Sequence, residues 1–310
     1  MVKVVITPRT FGYNDPGVFD LCREYGIEPV TNPTNQRWNM DEVKAHLDGA
    51  VGLVFGTEPI DGALLDEFPT IKAISKYGVG IDNVDVKACE ERGVKVSRAF
   101  GANSVAVADF AFGVALACVR KIAFYDDMVR KDGWGVVTTP DISGKTMGIL
   151  GLGAIGKVVA KRAKGFDMKV LAYDPFWDAD YAEEYGIIKA EPETIFREAD
   201  FINVHMPLTP ETKDFIGEKE IAMMKPTVVI VNCARGGIVN EDALYQALVE
   251  KRVYAAGMDV FVSEPKVDQR WKELDNVILS PHAAGQSDLA VKNMGRGSVT
   301  NIARDLGLID

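Results

Sequence analysis

The sequence predicts an α/β protein built on two open, parallel sheets. Three observations carry this expectation. The first hundred residues alternate short apolar runs with helical segments, a strand–glycine turn–helix–strand unit spans Lys145 to Pro175, and further apolar runs recur beyond it. Alternation of this kind builds parallel sheets with helices on both faces, with ligand sites at the carboxyl ends of the strands. A length of 310 residues is enough for two domains, each burying its own core.

In order, strands are expected at Val2–Ile6, Ile27–Val30, Val51–Phe55, Ile71–Ser75 and Val94–Ser97. The helices between them are expected at Gly17–Tyr25, Met40–Leu47, Gly62–Phe68 and Asp82–Arg92. Lys76, Tyr77, Gly78, Val79 and Gly80 follow a strand and form a candidate substrate loop. From Asn103 to Met128 the chain is rich in Ala, Val and Phe with few charges, which reads as one long helix buried on most sides, between domains or between subunits. Later strands are expected at Thr146–Leu150, Met168–Tyr173, Phe201–Val204, Val228–Val231, Ala255–Val260 and Val277–Leu279. Each of the last four is preceded by a helical or polar segment, and a final helix runs over Gln286–Leu306.

The unit from Lys145 to Pro175 is the most informative stretch. Thr146–Leu150 suits a buried strand, and from Ala154 the apolar residues Ile155, Val158, Val159 and Ala163 fall at helical spacing. Gly151 permits a tight bend, Gly153 lets backbone approach a pyrophosphate, and Gly156 lets helix and strand pack closely. The exposed N–H groups at the helix start attract phosphate charge. Asp174 ends the second strand about twenty residues beyond the glycines, where a carboxylate accepts hydrogen bonds from both ribose hydroxyls. It repels a 2′-phosphate, and Pro175, Phe176 and Trp177 supply no cation to receive one, so NAD is favoured over NADP.

Composition narrows the partners. The chain has a net charge of −10 and 47% hydrophobic residues, which argues for a globular protein and against nucleic acid or an anionic membrane. An anionic substrate must then meet a local cationic site. Cys22, Cys89, Cys118 and Cys233 are scattered without a C-x-x-C pair, which points to neither zinc nor a disulfide framework and fits a reducing cytoplasm. Val2–Ile6 is too short for a signal-peptide core, and no apolar run reaches membrane-spanning length.

Three polar residues that follow strands carry the chemistry. Arg235, beside Gly236 and Gly237, could grip a carboxylate bidentately and polarise an adjacent carbonyl as a permanent cation. His282, in I-L-S-P-H-A-A-G, has an imidazole suited to giving a proton to a carbonyl oxygen as hydride reaches the carbon. Glu264, in V-S-E-P, is a carboxylate that could hold the other ring nitrogen.

G-L-G-A-I-G, H-M-P-L-T, V-N-C-A-R-G-G-I-V, G-M-D-V-F-V-S-E-P and S-P-H-A-A-G occur in this order, with K-Y-G-V-G-I-D-N-V-D and N-S-V-A-V-A-D upstream. Together they resemble the D-isomer-specific 2-hydroxyacid dehydrogenase family, over most of the chain, and C-A-R-G-G-I-V is most similar to its phosphoglycerate dehydrogenase branch. The resemblance implies two Rossmann-like, doubly wound domains with a cleft between them: residues 100–286 for NAD, and residues 1–99 with 287–310 for substrate. It implies Arg235 as substrate anchor, His282 as general acid/base and Glu264 as its orienting partner. Val79 and Gly80 amides would hold a small anionic 2-oxo or 2-hydroxy acid, and Lys76 in the same loop is a further substrate-binding candidate from its place after the strand. Ala154 and Ile155 would face the pyrophosphate, Pro207 the adenosine side, Asp259 the nicotinamide carboxamide, and Cys233 and Ala234 the cofactor. A homodimer around Ala108–Val119 is also implied. Where the phosphoglycerate branch commonly has an arginine, this chain has Phe55, Gly56, Thr57, Glu58 and Pro59, and Glu58 would repel a phosphate. Phosphoglycerate, hydroxypyruvate and glyoxylate all stand as candidates, as do two rival readings: a non-enzymatic NAD-binding corepressor-like scaffold and a dehydrogenase acting on phosphite.

Overall fold

The computed structural model describes residues 1–33 and 36–310. The chain divides into two compact units, Met1–Asn103 with Gly285–Asp310, and Ser104–Ala284.

Unit one runs β1 (Val2–Ile6), α1 (Gly17–Glu24), β2 (Ile27–Thr31), α2 (Met40–Leu47), β3 (Gly52–Phe55), α3 (Gly62–Glu67), β4 (Ala73–Lys76), α4 (Val86–Glu91) and β5 (Lys95–Arg98). The strands pair in parallel in the order β2-β1-β3-β4-β5. Short polar side chains start the helices. Asn39 forms a capping box with Glu42, and Asp61 and Asp85 each accept an N–H from the first turn they precede. The Asp85 cap explains why α4 is shorter than the expected Asp82–Arg92: Asn83 and Val84 lie in a loop, where Val84 bridges to Ile60. One core, with Val5, Leu53, Phe55, Ile74 and Cys89, lies under α2, α3 and α4. The C-terminal helix, Asp288–Asp305, packs on β3, β4 and β5, and the absent side chain of Gly52 leaves room for Ile302.

Unit two contains α5 (Ser104–Val119), α6 (Ile122–Arg130), β6 (Thr146–Leu150), α7 (Ala154–Lys164), β7 (Lys169–Tyr173), α8 (Ala179–Glu184), β8 (Ile188–Lys189), α9 (Pro192–Glu198), β9 (Phe201–Val204), α10 (Glu218–Met223), β10 (Val229–Asn232), α11 (Glu241–Val249), β11 (Ala255–Met258) and β12 (Val277–Leu279). A short 3-10 turn, Gln269–Glu273, precedes β12, and the C-terminal helix completes the series as α12. The seven strands are parallel in the order β12-β11-β10-β9-β6-β7-β8. Chain direction across the sheet reverses between β6 and β9, which is where such sheets open a crevice for ligands. The strands are covered on both faces, so adjacent residues serve different cores: Ile149, Val229 and Val231 face one cluster, and Leu150, Val228 and Ile230 the other.

The expected single helix over Asn103–Met128 is two helices. Lys121 stands between α5 and α6 with φ of +51°, a left-handed residue that ends one helix and lets the next start on a new axis. α5 lies over β10, β11 and α7, and the absence of a side chain at Gly257 allows this, since a Cβ there would come within 2.2 Å of Val114 Cγ1. Among the described residues no helix is long and apolar enough to cross a membrane.

Candidate active site

At the end of β6 the chain bends at Gly151, whose φ of +100° favours glycine. A Cβ on Gly156 would sit 2.0 Å from the Gly151 carbonyl oxygen, so the third glycine is what lets α7 close on the turn. Gly153 is different, because its Cβ would meet no protein atom within 4 Å. It is the N-cap of α7 and supplies no side-chain cap, so the Ala154 and Ile155 amides start the helix without an intrahelical acceptor. Open space in front of uncapped N–H groups fits a pyrophosphate. Asp174, at the end of β7, is fixed against this turn: Oδ2 accepts the Leu152 N–H at 2.7 Å and Oδ1 the Phe176 N–H at 2.7 Å. Each oxygen keeps acceptor capacity for a ribose hydroxyl. Lys157, on α7, is bound to Asp178 at 2.5 Å and lies over the Tyr181 ring, so its charge is already engaged. Pro207 is exposed, and its carbonyl accepts the Thr212 hydroxyl at 2.6 Å, which ties the H-M-P-L-T turn together.

The arginine turn follows β10. Asn232, fully buried, accepts the Ala234 N–H on Oδ1 at 3.0 Å and donates Nδ2–H to the Arg235 carbonyl at 2.8 Å. This one side chain closes the loop that carries the guanidinium. Gly236 presses against the chain before Glu264: a Cβ would lie 2.2 Å from the Phe261 carbonyl carbon and 2.4 Å from the Val262 nitrogen. Burial pushes the Cys233 thiol up, which makes it a packing residue. Ala234 has its N–H on Asn232 and its carbonyl accepting from Arg235 Nη1 at 2.7 Å. The N–H and carbonyl of Ala234 thus both help to close the turn.

His282 and Glu264 meet. Nδ1 of His282 lies 2.8 Å from Oε2 of Glu264, and Oε1 of Glu264 accepts the Phe261 N–H at 2.9 Å. Burial pushes the Glu264 carboxyl up, but the His282 and Phe261 hydrogen bonds and the charges of His282 and Arg235 outweigh it and hold the carboxyl below its usual value. A carboxylate on Nδ1 leaves Nε2 as the nitrogen that can pass a proton to a ligand. His282 itself has φ of +55°, a left-handed conformation costing a non-glycine residue about 1 kcal/mol.

Asp259 holds that conformation. Its carboxylate accepts the Ser280 hydroxyl at 2.6 Å and the Ala283 and Ala284 amides at 2.8 and 2.9 Å, while its carbonyl accepts the His282 N–H at 2.8 Å. The residue is 1% exposed, and most of a carboxylate's acceptor capacity is filled by those three donors. Asp259 is thus the support of the histidine loop.

In unit one, the loop after β4 turns at Gly78, with φ of +136°. Among the described residues the Val79 and Gly80 N–H groups have no acceptor, as an anion seat requires. Lys76 is buried, and its ammonium donates to the Gly56 carbonyl and to Asn83 Oδ1 and lies over the Phe55 ring. It joins the loops after β3 and β4. Glu58 is buried too and turns inward to accept the Gly56 N–H at 2.6 Å.

Sequence reading passed over Asn232, Ser280 and His205. Asn232 had a visible signal, because a buried Asn at a strand end commonly bonds local backbone. His205, at the end of β9, has both ring nitrogens buried without a partner among the described residues, and burial pushes it down to about 4. Nothing in H-M-P-L-T distinguishes such a dry imidazole from an exposed one.

The family model for the D-isomer specific 2-hydroxyacid dehydrogenase NAD binding domain matches residues 112–284. A glyoxylate reductase from Korarchaeum cryptofilum is 39% identical over 262 residues, covering 82% of this chain and 78% of that protein. A D-3-phosphoglycerate dehydrogenase from Methanocaldococcus jannaschii is 36% identical over 301 residues, covering 95% of this chain and 56% of its own. The crystal structure of a D-lactate dehydrogenase from Aquifex aeolicus, complexed with NAD and lactic acid, aligns with a TM-score of 0.82 at 25% identity, covering 99% of this chain and 97% of that one. Matches of this length and identity place the chain in the D-isomer-specific 2-hydroxyacid dehydrogenase family, NAD-dependent oxidoreductases that act on CH–OH groups.

Proposed function

We propose that the protein interconverts a small, unphosphorylated 2-oxo acid and its D-2-hydroxy acid with NAD(H), glyoxylate and hydroxypyruvate being the first compounds to test. The observation that carries this reading is the 2.8 Å pairing of His282 with Glu264, beside an arginine turn seated against the Glu264 loop. NADH, when bound, supplies the hydride to the carbonyl carbon. Arg235 polarises the carbonyl oxygen and binds the carboxylate, and as a permanent cation it does so at any working pH. His282 Nε2 delivers the proton to the oxygen, and Glu264 holds the ring in place through Nδ1.

The absence of a phosphate on the substrate is supported in unit one. Glu58 places a buried carboxylate in the loop after β3, and the Lys76 ammonium is already bonded to Gly56 and Asn83. The negative charge of Glu58 disfavours a doubly charged group in that loop. A homodimer through α6 and the chain after it is supported by Ile122, Val129, Trp134 and Val136, which are all exposed in the single chain. Four reduced, buried cysteines are compatible with a cytoplasmic setting. The test is NADH oxidation across glyoxylate, hydroxypyruvate, pyruvate and phosphohydroxypyruvate, with His282→Ala as control. Turnover that persists in His282→Ala would remove the histidine from the mechanism, and preference for the phosphorylated acid would overturn the substrate class.

A further inference from the structure

We propose that Asn232 is a positioning residue that sets Arg235 relative to His282, through a relay of hydrogen bonds across the ends of two neighbouring strands. The proposal rests on the reading of Arg235 and His282 as the groups that touch substrate. Asn232 ends β10, and β11 is its neighbour in the sheet, with Asn232 in register with Met258. On one side, Asn232 Nδ2 donates to the Arg235 carbonyl and Oδ1 accepts from Ala234. On the other, the Asn232 carbonyl accepts the Asp259 N–H at 3.0 Å, and the Asp259 carbonyl accepts the His282 N–H at 2.8 Å. Arginine turn and histidine turn therefore hang from the same two residues.

Both ends of this relay need the help. The arginine turn contains two consecutive glycines, and the histidine turn is held at a left-handed residue, so neither conformation is one the local chain prefers. Asn232 is fully buried, and both polar atoms of its amide are engaged in that turn, which leaves the side chain without contact to any ligand. Its effect must pass through Arg235.

Asn232→Asp is the discriminating variant. It keeps an acceptor for Ala234 but sets a carboxylate oxygen against the Arg235 carbonyl, two acceptors facing each other. Protonation of the introduced carboxyl restores a donor, so the defect should shrink as pH falls. The experiment measures kcat and KM for glyoxylate with NADH, the affinity for NADH, and binding of oxalate to the NADH-loaded protein, each at about pH 8 and about pH 5.5. Asn232→Asp and Asn232→Ala should each lose about a hundredfold in kcat/KM at the higher pH, the effect of roughly 1 Å of misplacement. Oxalate binding should weaken in step, NADH affinity should hold within about threefold, and only Asn232→Asp should recover toward the acid side. Oxalate binding and turnover both within about threefold of wild type would overturn the proposal, and so would a parallel loss of NADH affinity, which marks general damage to the fold. Wild-type protein that turns over no 2-oxo acid, while oxalate binding still falls in Asn232→Asp, would sink the functional reading and leave the positioning role standing.

Discussion

Gly236→Ala tests whether the arginine turn is held in place by contact with the Glu264 loop. The backbone at Gly236 has no positive φ, so alanine can adopt its conformation, and the whole effect comes from the added methyl. That methyl would lie 2.2 Å from the Phe261 carbonyl carbon and 2.4 Å from Phe261 O and Val262 N. All three are backbone atoms that no rotamer change can move. Restoring ordinary contact near 3.4 Å requires the two loops to separate by about 1.2 Å, a displacement of the size that costs about a hundredfold in turnover when it separates reacting groups. Overpacking of this kind also costs about 1–3 kcal/mol of stability. The assay is kcat/KM for glyoxylate and NADH affinity on the purified variant, with thermal unfolding followed in parallel. Gly113→Ala, in α5 where a Cβ meets nothing within 4 Å, serves as the control that should remain stable and active. A Gly236→Ala enzyme with wild-type kcat/KM and an unchanged Tm would refute the argument, because it would mean that the Arg235 turn tolerates a separation the geometry says matters.

Other outcomes follow from the same geometry. Gly153→Ala should fold with little loss, since its Cβ meets no protein atom, yet bind NADH at least about tenfold more weakly because the methyl occupies the space before the α7 N–H groups; isothermal titration checks it, and equal affinity would place the pyrophosphate elsewhere. Asp174→Ala should narrow the preference for NADH over NADPH and also raise KM for NADH, since Asp174 holds the Leu152 amide; an unchanged ratio of the two kcat/KM values counts against the ribose role. Glu264→Gln removes the carboxylate that orients His282 through Nδ1, so kcat for reduction should fall about tenfold or more while NADH affinity holds, and wild-type kcat would contradict the pairing. In the wild type the Glu264 carboxyl is held below the usual glutamate value, so its contribution to stability is present above that usual value and is lost only as pH falls through the lowered one; a stability curve flat through the acid range would count against the pairing.

Periodicity and spacing made much of the molecule legible. Strands such as Val2–Ile6 and Phe201–Val204 are apolar runs bounded by polar or turn residues, and the glycine turn has a spacing whose physical purpose is local. The long apolar stretch after Asn103 was harder, because composition shows burial but not a single left-handed residue, and Lys121 divides it in two. Arg235, Glu264 and His282 could be singled out as candidates because charged or titratable residues beside buried strands carry a cost that function commonly explains. For Lys76 the spacing shows only a lysine after a strand, and its bonds to Gly56 and Asn83 across the neighbouring loop come from the tertiary structure.

The sequence by itself determined the α/β class, the dinucleotide turn, the acidic residue ending the second strand of that unit, and the identity of the three residues with suitable chemistry. All of these depend on local order along the chain: a period of two or of 3.6, a glycine spacing, a residue type at a strand end. Only the tertiary structure decided which groups meet. Glu264 and His282 are eighteen positions apart and pair at 2.8 Å, Asp259 folds a loop more than twenty residues downstream, and Gly236 is required by the backbone of Phe261 and Val262. Those relations are set by parallel strands delivering distant segments to one edge of a sheet, where hydrogen-bond distances of about 3 Å depend on register and packing that no local pattern contains.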